Sequence, residues 1–300
     1  MKQKHAWICA AAIAACAGGL ASRAHAHGFV GDRFFPATVT TDDPFAVDEF
    51  SLNVTNQKFR GDGEHDPVET DGGFEFVKEI LPRFAVGVED TYIYSKAHGE
   101  ESVRGFDSVG LSLKYELWQN DTHEAIVSIG MDTDLGGTGS NDTSDSFTTF
   151  TPTIYFGKGF GDLPDSLNFA KPLAITGTLG QTFPTSAEEA NALEWAFAIE
   201  YSLPYLQQRV KDVGFPEPLR SMIPLVEFSF ETPENRGENI TTGTINPGVL
   251  WETKYFQLGV EALIPVNRDS GDRVGMIANL QIYIDDLWPA VFGHPVWGER

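Results

Sequence analysis

Along this chain apolar side chains recur at every second position. In 109–117, Val109, Leu111, Leu113, Tyr115 and Leu117 are interleaved with Gly110, Ser112, Lys114 and Glu116. In 193–203, Leu193, Trp195, Phe197, Ile199, Tyr201 and Leu203 alternate with Glu194, Ala196, Ala198, Glu200 and Ser202. In 274–284, Val274, Met276, Ala278, Leu280, Ile282 and Ile284 stand against Gly275, Asn279, Gln281 and Tyr283. Successive residues of a strand point to opposite faces, so each stretch has one apolar face and one face of small or charged residues. The same alternation predicts strands at 47–55, 73–81, 84–95, 105–118, 122–132, 147–158, 172–183, 191–203, 223–231, 245–253, 255–265 and 273–285. That makes about twelve strands, many of roughly 10 to 14 residues, a length that suits tilted crossings of a bilayer better than a globular sheet.

The connections alternate as well. With the N-terminus on the periplasmic side, 56–72, 96–104, 133–146, 184–190, 232–244 and 266–272 become polar outer loops. Leu81-Pro82-Arg83, Gln119-Asn120-Asp121 and Thr253-Lys254 become tight inner turns. Long loops on one side and short turns on the other are the pattern of an outer-membrane barrel. Two inner connections, 159–171 and 204–222, are longer, and Pro204 to Val213 in the second is expected to form a short amphipathic helix.

The polar faces choose between a soluble sandwich and a membrane barrel. They carry Glu89, Glu116, Asp132, Glu194, Glu200, Glu227, Glu252 and Glu261. A sandwich would have to place twelve apolar faces in one dry core. A barrel turns the acids into a watery lumen and the apolar faces to lipid, and closure pairs every backbone group. The expected fold is therefore all-β, a transmembrane antiparallel β-barrel of about twelve strands at 47–285, with these eight carboxylates as lumen-facing candidates. Tyr92, Tyr94, Trp118, Tyr155, Trp251, Tyr255 and Phe256 lie near strand ends and are expected to form interfacial girdles.

Composition adds a compartment. Residues 1–26 read as a secretory signal peptide: Lys2 and Lys4 precede an apolar run from Ala6 to Ala17, and Ala24-His25-Ala26 offers a cleavage site before His27. Ile13-Ala14-Ala15-Cys16 is a competing lipoprotein box, with Cys16 as the lipidated residue. The chain has 21 Lys+Arg against 43 Asp+Glu, a net charge of -22; losing Lys2, Lys4 and Arg23 with the leader leaves 18 against 43, or -25. Such a chain repels phosphate backbones, so a nucleic-acid partner is excluded. Both cysteines, Cys9 and Cys16, lie in the leader, which removes disulfide and thiol chemistry from the mature protein. The expected location is the outer membrane, with lipid, lipopolysaccharide and the barrel-assembly machinery as partners. Residues 27–46, rich in Phe, are expected to form an N-terminal plug or to pack across the periplasmic mouth, and 286–300 a periplasmic tail in which Trp288 or Trp297 serves as assembly signal.

Several short motifs resemble one family. His27-Gly28-Phe29, Phe34-Phe35-Pro36-Ala37-Thr38 and Asp42-Asp43-Pro44-Phe45 open the mature chain. Gly159-Phe160-Gly161-Asp162-Leu163-Pro164 and Asp285-Asp286-Leu287-Trp288-Pro289 follow later. Together they are similar to the proteobacterial outer-membrane transporters linked to the MetA pathway of phenol degradation. The resemblance implies a barrel that passes small, aromatic or hydrophobic molecules, and it carries over no site residue. One departure is the tail: many barrels end on a terminal aromatic of the last strand, whereas about fifteen residues follow Asp285 here.

Catalytic chemistry finds little support. Gly-x-Ser-x-Gly, His-Glu-x-x-His and cysteine clusters are absent. Asp132-Thr-Asp134 through Asp142 lacks EF-hand spacing, and Gly157-Lys-Gly-Phe-Gly161 has no following helix to bind phosphate. The metal candidate is His27, whose freed amino group and imidazole would suit copper, with a second histidine drawn from His65, His98, His123 or His294. The expected function is a channel or transporter for small-molecule solutes, without enzyme activity or cofactor. The alternatives are a structural or adhesive barrel that transports nothing, and a soluble exported copper-binding protein.

Overall fold

The alternating segments become twelve antiparallel strands that close on themselves. The computed structural model describes residues 28–59, 66–237 and 239–298. The strands are β1 (Glu49–Lys58), β2 (Val68–Leu81), β3 (Phe84–Lys96), β4 (Val103–Phe106 and Val109–Asn120), β5 (Ala125–Leu135) and β6 (Thr149–Gly159). They continue with β7 (Leu173–Pro184), β8 (Ala192–Tyr201), β9 (Met222–Pro233), β10 (Thr242–Glu252), β11 (Phe256–Pro265) and β12 (Gly275–Ile282). Both pieces of β4 pair with β3, so Asp107 and Ser108 interrupt one strand rather than separate two. Each strand pairs with its sequence neighbours, and β12 returns to β1 through Ile282↔Phe50 to Met276↔Asn56. No edge is left open, as the backbone of a sheet in hydrocarbon requires.

The two faces of the wall are reversed relative to a soluble protein. Val54 and Met276, on the outside, are 55% and 57% exposed, and Leu113, Leu117, Ile154 and Val260 share that surface. Glu227, Asn246 and Gln257, on the inside, are at 0%. Among the described residues no helix is long and apolar enough to cross a membrane. The outward apolar side chains of the strands form a continuous band of the kind a lipid-facing barrel carries.

Several strand boundaries differ from the sequence reading, three of them with a clear local cause. β2 starts at Val68, five residues before the predicted 73, because Val68 to Gly72 pair with Lys58 to Val54 of β1. The predicted strand at 122 instead opens with a 3-10 turn, Asp121–His123, and β5 begins at Ala125. β12 ends at Ile282 rather than 285, because Ile284–Leu287 turn into a short helix. In the long connection 202–221 the expected helix is present over Leu203–Val210, with Ser202 accepting from the Tyr205 N–H as its cap. The tail after β12 folds back, and the Val296 and Trp297 N–H groups donate to the Glu79 and Ile80 carbonyls.

Residues 28–48 lie inside the wall. They open with a hairpin, Phe29-Val30 against Arg33-Phe34, whose turn uses Gly31 at φ 60°, a conformation glycine adopts without strain. There is also no room for a Cβ, which would collide with the Asp121 carbonyl. Val30, Phe35, Phe45 and Val47 pack with Ile126 and Ala174 of the wall into a small buried core. The residues 1–27, including the predicted leader and His27, lie outside the described residues, as does His65.

Candidate lumen and the segment within it

The inner face of the wall is acidic from one end to the other. Strand parity turns every one of the eight expected carboxylates inward. Glu116, Glu200, Glu227 and Glu261 are buried; Asp132, Glu194 and Glu252 are partly covered, and Glu89 stays accessible. The same parity adds Glu49, Asp71, Glu75, Glu79, Asp134 and Glu231, which the sequence reading did not single out. Of the basic residues on the described strands, Lys58, Lys78, Lys96, Arg104 and Lys158 have the outward parity, and Lys114 points in.

At the end carrying the short turns, the inner carboxylates hold the N-terminal segment. Arg33, fully buried, donates through Nε to Glu124 Oε2 at 3.1 Å and through its other nitrogens to the Pro172 and Lys171 carbonyls at 3.0 and 2.5 Å. Its guanidinium lies 3.9 Å from the centre of the Tyr205 ring, and Tyr205 donates to Glu124 Oε1 at 2.8 Å. Three turn-end elements thus converge on one buried arginine. Glu116 accepts from the Ala46 N–H at 2.9 Å and also faces Arg83 at 3.6 Å. Asp48 pairs with Lys78 at 2.5 Å, and Tyr283 donates to Glu252 at 2.8 Å.

Midway along the lumen the segment reaches its tip. Thr40 donates to Glu227 Oε2 through its N–H, at 2.7 Å, and through its hydroxyl. Asn246 donates to Thr40 Oγ1 at 3.0 Å, and Gln257 to the Ala37 carbonyl at 2.6 Å. Lys114 joins Asp42 at 2.5 Å and donates to the Asp43 carbonyl at 2.9 Å, while Ser128 donates to the Pro44 carbonyl. Asp42, Asp43 and Glu49 form a tight acidic group, with Lys114 as its counter-ion. Burial pushes the Asp43 carboxyl up to about 7, against the pull of Lys114 and with the push of Asp42. Tyr155, expected in the girdle, is a correction: it is 2% exposed and donates inward to Asp132 at 3.0 Å, because its odd parity on β6 is the inner one.

Beyond Thr40, toward the long loops, a cavity of about 380 Å³ is lined by Thr40, Glu194, Glu231, Thr242 and Asp269. At the opposite end a cavity of about 600 Å³ lies between the hairpin and the turns, against Phe29, Gly31, Arg83 and Asp121. The two spaces are on either side of residues 28–48, and the segment stands between them.

The described histidines do not assemble a metal centre. His123 bonds Asp162 at 2.9 Å on the turn side, His294 lies in the tail, and His98 follows β3 at the loop end. The loop after Asp132 spends its polar atoms on itself and on β4: Thr143 donates to the Phe106 carbonyl and Ser140 accepts from the Phe106 N–H.

No family model matches the chain, and no curated protein matches its sequence. Solved structures do match its shape. An outer membrane channel from Pseudomonas putida F1 superposes with a TM-score of 0.54 at 10% identity, covering 83% of this chain and 99% of the channel. The KdgM porin aligns at a TM-score of 0.45 and 11% identity over 77% of this chain and 98% of its own. The NanC porin aligns at 0.46 and 10% identity over 77% and 98%. At such identities the likeness is one of fold, and the first comparison carries it: the chain is a closed twelve-stranded antiparallel β-barrel of the kind found in outer-membrane proteins.

Proposed function

We propose that this protein resides in the outer membrane and conducts small solutes through an acidic lumen, with residues 28–48 acting as a plug. The observation that carries the reading is the charge of the inner wall. Carboxylates line it from Glu252 at the turns to Glu231 near the loops, and Lys114 is the one base that the described strands turn inward. Fixed anionic charge in a narrow, partly desolvated passage raises the local concentration of cations and repels anions. Cationic or neutral solutes are therefore the expected cargo. The resemblance to transporters of the phenol-degradation pathway is compatible with neutral aromatic solutes, which such a field does not repel.

The segment inside the lumen supports the plug. It is hydrogen-bonded to the wall at both its base and its tip, and it separates the two cavities. A barrel with this segment seated is close to the non-transporting alternative, so conductance depends on whether the seat can be left. Purified protein in planar bilayers under a tenfold KCl gradient tests both points. A reversal potential of the sign for potassium preference supports the acidic channel. Anion preference would overturn it, and silence in both the wild type and a variant lacking 28–46 would make the barrel structural.

A further inference from the structure

The tip of the N-terminal segment rests on an unbalanced set of oxygens. Glu227 on β9 lies directly across from Asn246 on β10. Glu261 on β11 lies across from Gly248 of β10, and its side chain fills the place a Cβ at Gly248 would take. Glycine at that position lets Glu261 reach across β10, and its carboxyl comes within hydrogen-bond range of Glu227. All three side chains are at least nine-tenths buried.

Their donors are soon used up. Thr40 supplies Glu227 Oε2, the Thr38 hydroxyl also comes within reach of Glu227, and the Asn246 amide gives an N–H to Thr40. Glu227 Oε1, both oxygens of Glu261 and Asn246 Oδ1 remain, buried and with no hydrogen-bond partner among the described residues. The nearby bases are committed elsewhere, Lys114 to Asp42 and the Asp43 carbonyl, Arg33 to Glu124. Buried acceptors without donors, three of them on carboxylates, are strongly unfavourable.

A shared proton between Glu227 and Glu261 would satisfy one oxygen–oxygen contact. It would leave the second Glu261 oxygen and Asn246 Oδ1 as they are. A cation seated among the three side chains would supply the positive charge that these donorless oxygens lack. The donor set is oxygen only, carries two negative charges and comes from long side chains on three adjacent strands. That combination favours a hard divalent ion with flexible coordination, calcium rather than magnesium, and offers nothing to metals that prefer nitrogen or sulfur. We propose that Glu227, Asn246 and Glu261 form a calcium-class cation site inside the barrel, behind the carboxylate that holds Thr40.

A consequence, which rests on the plug reading, is that the ion fixes Glu227 and so strengthens the seat of the segment. The site itself is tested without conductance. Full-length refolded protein in detergent, stripped with EDTA, is titrated with calcium chloride by calorimetry, and its unfolding is followed on a heat-modifiability gel. The expected result is one calcium per chain, an upward shift of the unfolding temperature, and weaker binding of magnesium. Glu261→Gln should lower the affinity at least tenfold, and Glu194→Gln, an acid of the loop-end cavity, should leave it unchanged. No saturable calcium binding by the wild type would overturn the site, and that measurement needs no variant to fold. Binding lost in Glu194→Gln but kept in Glu261→Gln would overturn it too, as would a Glu261→Gln protein more stable than wild type in calcium, the outcome a shared proton predicts. Conductance tests the plug and calcium titration tests the site, so either can fail alone.

Discussion

Arg33 shows how one residue can hold a segment in place. Its charge is buried, and Glu124, Tyr205 and two carbonyls are arranged to receive it. Removing one partner of a buried pair leaves the other charge uncompensated, which costs about 3–5 kcal/mol. Glu124→Gln is therefore expected to loosen residues 28–48 from the turn end and raise the open probability in bilayers, with protease sensitivity of the N-terminus as a second readout. Asp43 adds a pH dependence. Its carboxyl is raised to about 7 in the seated segment from 3.8. The seated form thus holds the proton over the window from about 4 to 7, and seating loses stability as pH rises through it. Asp42, Lys114, Glu49 and Glu116 face the same group. Conductance is expected to grow from pH 5 to pH 8, and Asp43→Asn should flatten that rise.

At the scale of the element, the strand's period of two does most of the work. Alternate residues of β4 point Leu111, Leu113 and Leu117 outward and Lys114 and Glu116 inward; the parity is reversed before the interruption at Asp107-Ser108 and shifts again at a bulge between Glu116 and Trp118. The outward band is expected to face hydrocarbon. Leu113→Arg should then cost about 2–4 kcal/mol if it lies near the bilayer midplane. Urea unfolding in lipid vesicles would show the loss, whereas Glu194→Gln, on the inner face, should leave the midpoint nearly unchanged. A Leu113→Arg barrel as stable as wild type would argue against a lipid-facing band.

For the whole molecule, the question is how an acidic tube and a seated segment combine. Deleting 27–44 is expected to increase solute uptake in liposome swelling, with cationic solutes gaining more than anionic ones of equal size. The difference between the two should shrink as salt is raised, because the wall charges are screened over about 10 Å at 0.1 M and less at higher salt. Unchanged permeability after the deletion would remove the plug role while leaving the barrel in place.

The sequence by itself determined the wall. Alternation over 109–117 or 193–203 is local information, and hydrocarbon outside with water inside leaves one register that satisfies it. That is why the strand count and the closed antiparallel wall could be read in advance. Parity also held the information for Glu75 and Glu231, which a stricter count along each predicted strand would have found, whereas Asp134 lay past the predicted end of its strand at 132. Asp71 was hidden because a glycine pair, Gly72-Gly73, ended the apparent strand too early, and pairing with β1 carried it on to Val68. What only the tertiary structure decided is where residues 28–48 sit. Their Phe-rich composition required burial and left two places open, inside the barrel or across its periplasmic mouth. Arg33 finds Glu124 across 91 residues and Thr40 finds Glu227 across 187. The approach of Glu261 to Glu227 has the same origin: the missing side chain at Gly248 lets Glu261 reach across β10, and no period along the chain encodes that.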